Sequence, residues 1–240
     1  MNRFLSSRAA LPLVAVAAAL LGAGGTWLVS RAGGGSQVRD YLLAHPEVLR
    51  EAQQKLIEND NAKVIAANRA DILTPVGSAW AGNPNGDVTV VEYLDYNCGY
   101  CRASLATIDQ LIAADPKVKV IYRELPVLSQ ESETAARYAI VAGRQGKYRA
   151  LHAALYAGGP LTEASMDKAL VTAGLDPVKV KEEARTASVE AAIKTNLSLM
   201  RPLGMTGTPT WVIGDRVVSS VLSLEEMRDA VEAARTRDRP

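Results

Sequence analysis

The chain has 240 residues, 48% of them hydrophobic and 22% charged, with a formal net charge of +1. That length suits one sizeable domain with accessory segments, and the balanced charge, without a dominant Lys/Arg cluster, excludes an electrostatic footprint for nucleic acid. Its two cysteines lie three positions apart, so there is no framework of structural disulfides and burial must hold the fold together.

Arg3 and Arg8 precede an apolar run from Ala9 to Val29, the pattern of a positive n-region followed by an h-region. The run is close to the roughly 20 residues that span a bilayer. Pro12, Gly22, Gly24 and Gly25 make it a poor continuous helix. Residues 1–32 therefore read as a signal peptide or a membrane anchor. Small residues Ser30 and Ala32 suit cleavage after Ala32, whereas Trp27 and Arg31 suit an interfacial flank. Either way export follows, into a compartment where disulfides persist.

After the Gly33–Gly35 joint, charged and apolar residues interleave at helical spacing from Gln37. Pro46 and Glu47 suit a helix start, and no Gly or further Pro occurs up to about Asn68. Leu42, Leu49 and Leu56 recur every seven residues, widened by Val48, Ala52, Ile57, Val64 and Ile65. Such a stripe must lie against something, either its own domain or another copy of the chain. Residues 37–73 read as a helical stalk or oligomerisation segment.

Three Gly and two Pro between Thr74 and Asp87 mark a boundary, and Asp87–Leu94 reads as a buried strand. Arg102–Ala114 is helical by pattern and Val118–Leu125 is a second strand, which together make a βαβ unit with parallel strands. From about 130 to 200 the chain is Ala-rich and helical, with breaks at Gly143, Gly146, Gly158-Gly159-Pro160, Gly174 and Asp176-Pro177. Strands return at Thr210–Gly214 and Arg216–Val221 around a tight Gly214-Asp215 turn. Ser223–Arg235 closes as a Ser-capped helix. Residues 74–237 are thus one α/β catalytic domain with a helical insertion.

Disulfide exchange needs one thiolate to attack and a second thiol to resolve the mixed disulfide, and Cys98-Gly99-Tyr100-Cys101 supplies both. At a helix start, backbone N–H groups beside Cys98 favour the thiolate, making it the expected nucleophile; Cys101, one turn further in, is the expected resolving thiol. Three other readings compete. Zinc binding needs two more ligands, and His45 and His152 show no ligand spacing. A static disulfide around so small a loop constrains the unfolded chain little. Inert thiols are the third. Glu92 shares a strand face with Val88, Val90 and Leu94, so its carboxyl points either inward, where burial raises its pKa and lets it relay protons, or into solvent.

The stretch Val90-Val91-Glu92-Tyr93-Leu94-Asp95-Tyr96-Asn97-Cys98-Gly99-Tyr100-Cys101, the helical insertion and Gly207-Thr208-Pro209-Thr210 together resemble the DsbA-like thioredoxin family over about residues 74 to 237. The resemblance implies a thioredoxin fold, a cis Pro209 beside the cysteines, and Glu92 as the family's buried acid. It also implies that Thr208 offers its backbone to an extended substrate segment, with Gly99 and Tyr100 beside it. No cofactor beyond the Cys98-Cys101 redox pair, and no metal, is expected.

The family contains oxidases and isomerases. Gly99-Tyr100 lacks the histidine of strongly oxidising members, and Thr208 before Pro209 resembles the isomerase pattern. The run Leu42 to Leu49 is similar to the oligomerising stalk of the ScsC, or suppressor-of-copper-sensitivity, group. These features imply a periplasmic protein disulfide isomerase acting on misoxidised exported proteins and linked to copper tolerance. The same resemblance implies a membrane reductase of the ScsB/DsbD type as electron donor, and a homo-oligomer, a trimer ahead of a dimer. The alternatives are a monomeric dithiol oxidase and, from another class, a periplasmic copper-binding module using the paired thiolates.

Overall fold

The computed structural model describes residues 37–237, so the expected signal or anchor over 1–32 lies outside the described residues. The chain divides after Leu56 into two units. In the first, residues 37–44 form a helix, α1, and a second helix, α2 (Glu47–Ala67), starts directly after Pro46 with Glu47 in its first turn. Leu43, Leu49 and Leu56 are exposed.

In the second unit, α2 ends and α3 (Arg69–Leu73) follows. The other elements are β1 (Trp80–Gly82), β2 (Val88–Leu94), α4 (Gly99–Ala114), β3 (Val118–Glu124), α5 (Gln130–Arg144), α6 (Tyr148–Ala157), α7 (Glu163–Thr172), α8 (Pro177–Glu183), α9 (Ala187–Met200), β4 (Thr210–Ile213), β5 (Arg216–Val218) and α10 (Leu224–Arg237). The sheet order is β1-β3-β2-β4-β5. β2 and β3 are parallel across the α4 crossover, with Glu92 opposite Tyr122 and Leu94 opposite Glu124. The remaining pairs are antiparallel.

Alternation sorts the strand residues onto two faces. Val88, Val90, Leu94, Val120, Tyr122 and Trp211 join both cysteines and the helical insertion in the larger core. Val91, Tyr93, Ile121 and Val212 form the other core with Ile65, Ile72 and Leu199. Ile65, at the end of the heptad-like stripe, is therefore buried against the sheet.

Several expected boundaries move. The boundary stretch contains an edge strand, β1, too short for an alternation signal. The active-site helix begins at Gly99, not Arg102, because Cys98 itself caps it. The last strand stops at Val218, not Val221, and α10 extends to Arg237. Ser223 and Glu226 cap α10 reciprocally. Gly143 does not break its helix but lies inside α5, where a Cβ would stand 2.7 Å from the Val76 carbonyl oxygen. Its role is close approach of the β1 lead-in, reinforced by Gly77, whose φ is +57° and which equally lacks room for a Cβ.

Candidate active site: a CxxC helix start above two buried acids

Cys98 is the N-cap of α4 in extended conformation, and its Sγ accepts a hydrogen bond from the Cys101 N–H at 3.4 Å. The positive end of the helix therefore faces the sulfur. The same Sγ lies 3.2 Å from the Thr208 carbonyl oxygen, to which the thiol donates. The Thr208-Pro209 peptide bond is cis, and this carbonyl lies in the loop before β4. Thr210 Oγ1 holds the loop from below, donating to the Gly207 carbonyl at 2.6 Å.

Both cysteines are free thiols and differ in setting. Cys98 is 6% exposed at the surface of the core and Cys101 only 1%. Burial, followed by the charge of Glu92, pushes the Cys101 thiol far above its ordinary range. Gly99 is exposed with open space around it, and Tyr100 projects into solvent, 68% exposed.

Glu92 points inward, 1% exposed, and neither carboxyl oxygen has a hydrogen-bond partner. Burial foremost, then Glu124 and Cys98, raise its pKa well above the usual carboxylate range. The solvated alternative fails because the β2 face carrying Val90 and Leu94 is covered by the insertion and α4.

Sequence reasoning missed the other half of the site. Glu124, at the end of β3, is a second buried carboxyl on the same face. Its Oε1 accepts from Tyr148 Oη at 2.7 Å and from Tyr96 Oη at 3.3 Å. Burial raises it to about 8, partly offset by these two donors. Tyr96 Oη also lies 3.1 Å from His152 Nδ1, and burial, with Arg149, drives that histidine down to about 3. Alternation from Val118 through Val120 and Tyr122 was the available signal for Glu124. Nothing local marks Tyr148 or His152, which arrive on α6.

Asp95 was the other omission. Its Oδ1 accepts from the Asn97 N–H (2.7 Å) and Ser132 Oγ (2.6 Å), and its Oδ2 from the N–H groups of Val127 (2.9 Å) and Leu128 (3.0 Å). Its carbonyl oxygen accepts from the Cys98 N–H at 3.0 Å and from Tyr156 Oη at 3.0 Å. One side chain thus ties the turn before the CxxC to the β3–α5 loop.

A helix-capping thiol at the edge of the core, a more deeply buried second thiol and the Thr208 carbonyl before a cis proline together are equipped for thiol–disulfide exchange. Residues 89–232 match the model of the DSBA-like thioredoxin domain. The chain belongs to the DSBA-like thioredoxin family. Residues 35–63 match a second model, the copper resistance protein ScsC N-terminal domain.

A thioredoxin-like oxidoreductase from Silicibacter pomeroyi is 39% identical, with a TM-score of 0.67 over 70% of this chain and 98% of that one. A linker-deletion variant of Proteus mirabilis ScsC is 25% identical, with a TM-score of 0.68 over 84% of this chain and 93% of that one. A periplasmic thioredoxin-like protein from Salmonella enterica serovar Typhimurium is 28% identical, with a TM-score of 0.62 over 69% and 94%. A curated relative, a Na(+)/H(+) antiporter NhaA of Salinispora arenicola, is 27% identical over 71% of this chain. The chain spans only 27% of that relative's length. Among the described residues no helix is long and apolar enough to cross a membrane.

Proposed function

We propose that this chain is a thiol–disulfide oxidoreductase working as a protein disulfide isomerase in the periplasm, reached by an N-terminal signal, and that it assembles through its N-terminal helices. The observation that carries this reading is the ScsC N-terminal match over residues 35–63. On those helices Tyr41, Leu43, Leu49, Leu56 and Ile57 are exposed. Apolar side chains at these spacings on a single helix pair are unfavourable in water and are covered by association with another copy.

In the proposed cycle, the Cys98 thiolate attacks a substrate disulfide, forming a Cys98–substrate bond and releasing a substrate thiolate. Thr208 and Pro209 hold the substrate backbone beside Cys98, with Gly99 and Tyr100 flanking it. The released thiolate then attacks another substrate disulfide, and a substrate thiolate finally displaces Cys98 unchanged. If this stalls, Cys101 attacks Cys98 Sγ, freeing reduced substrate and leaving a Cys98–Cys101 disulfide. A membrane reductase of the ScsB/DsbD type must supply the two electrons that restore the thiols. Glu92 takes part in the proton balance beneath Cys101. The pair needs no other cofactor, and the N-terminal match supports a link to copper tolerance.

Replacing Leu49 and Leu56 together by Asp in the full exported chain tests the assembly. A fall in solution mass, with loss of scrambled-substrate reactivation and retained oxidation of reduced peptide, is the expected result. Unchanged mass and reactivation would refute assembly through these helices, and a monomeric unsubstituted protein that oxidises reduced peptide without reactivating scrambled substrate would favour a monomeric oxidase.

A further inference from the structure

Two carboxyl groups, Glu92 from β2 and Glu124 from β3, face the same core beneath the CxxC, 1% and 3% exposed. They differ in their donors. Glu92 has none, whereas Glu124 Oε1 receives two tyrosine hydroxyls. The groups around them are Tyr122 on β3, Tyr96 and Asp95 in the turn after β2, and Tyr148, His152 and Tyr156 on α6, with Cys98 capping α4 and Cys101 on it. Arg149 acts only through His152 and Tyr122 from the surface, and Asn196 of α9 donates to the Glu124 backbone oxygen. Among the described residues no cationic side chain hydrogen-bonds either carboxyl. His152, driven down to about 3, stays neutral.

Two acids in one low-dielectric space without a cation do not ionise together, so the pair holds at most one negative charge over most of the working range. That charge goes where donors meet it, because a buried anion without hydrogen bonds is the costlier of the two. We propose that Glu124 is a positioning residue for the exchange reaction: it seats the single negative charge of the carboxyl pair and so leaves Glu92 as the protonated partner beneath Cys101.

The consequence falls on the resolving step. When Cys101 attacks the mixed disulfide, its S–H bond breaks, the Cys98–Cys101 bond forms and the substrate leaves as thiolate. The thiol proton goes to the singly charged carboxyl pair, which becomes doubly protonated; on reduction it returns to Cys101. Resolution therefore speeds up as the pair loses its first proton, in the region of pH 8 where burial has moved Glu124. A model in which Glu92 alone is the charged base, merely repelled by Glu124, predicts the opposite response to removing Glu124.

The proposal rests on Cys98 attacking and Cys101 resolving. Stopped-flow mixing of the reduced full-length protein with dithiobis-nitrobenzoate gives a first release of thionitrobenzoate from Cys98 attack and a second from Cys101 closure. The pH dependence of the second is the readout. Glu124→Gln is expected to move its rising limb to alkaline pH by about one unit or more, since the remaining acid has no donors. Tyr148→Phe, which keeps the ring and removes the shorter hydrogen bond, should move the limb the same way by less. Glu92→Gln should keep the limb near its wild-type position with a slower plateau. An unmoved or acid-shifted limb in both Glu124→Gln and Tyr148→Phe would overturn the role of Glu124, as would loss of the limb in Glu92→Gln. Absence of any second release from wild type at every pH would overturn the cysteine roles, and the proposal with them.

Discussion

Replacing Asp95 by Asn should destabilise the protein by about 3 kcal/mol, because an amide cannot serve all four donors that the carboxylate serves. With its oxygen left at Oδ1, the NH2 group would face the N–H groups of Val127 and Leu128, at 2.9 and 3.0 Å, and both bonds would be lost. Flipped, the NH2 faces the Asn97 N–H, while Ser132 Oγ turns to accept from it. The flipped form is the cheaper. It loses one charge-assisted bond, about 1.5–3 kcal/mol, and converts the others from charged to neutral acceptance, about 1 kcal/mol in all. That is a large share of the roughly 5–15 kcal/mol that typical domains possess. Urea unfolding of the reduced protein at fixed protomer concentration and fixed pH measures it, with a lower midpoint and an unchanged m-value expected. A loss below about 1 kcal/mol at constant m would show that Asp95 is not the tie between the CxxC turn and the β3–α5 loop.

Two further outcomes concern the cysteines and Glu124. Cys101→Ser should accumulate mixed disulfides with exported proteins, visible on non-reducing gels, whereas Cys98→Ser should not; equal trapping by both would reverse or erase the assigned roles. Glu124 also links stability to pH. Its folded pKa, about 8, lies above the ordinary 4.5, so between those values the folded state binds the extra proton. Stability is therefore fully present below about 4.5 and falls as pH rises towards 8, by a few kcal/mol. Glu124→Gln should flatten that slope in denaturant titrations across the window, leaving the share due to Glu92, whose shift has the same sign. A slope unchanged by the substitution would contradict the burial of an ionisable group there.

The cysteine pair, the strand entering it and the strand face that Glu92 shares with Val88, Val90 and Leu94 were all legible in the chain, because spacing and alternation are local properties; which way that face points was decided by packing. The helical insertion was legible as composition, and in the structure Ser129, Thr162 and Asp176 cap its helices α5, α7 and α8. Glycine was the misleading signal. Gly143 reads as a helix break, yet backbone of the β1 lead-in must approach α5 there, and only the packed fold shows that.

What the sequence by itself determined is the chemistry on offer: two thiols three positions apart at a strand-to-helix turn, and an acid on the strand six residues before the first of them. What only the tertiary structure decided is the company these groups keep. Glu124 meets Glu92 through strand register, while Tyr96, Tyr148 and His152 converge from a turn and a helix separated by 52 residues between the two tyrosines. Proton affinity in a core depends on burial and on which donors face each acid, and both are set by contacts between distant segments.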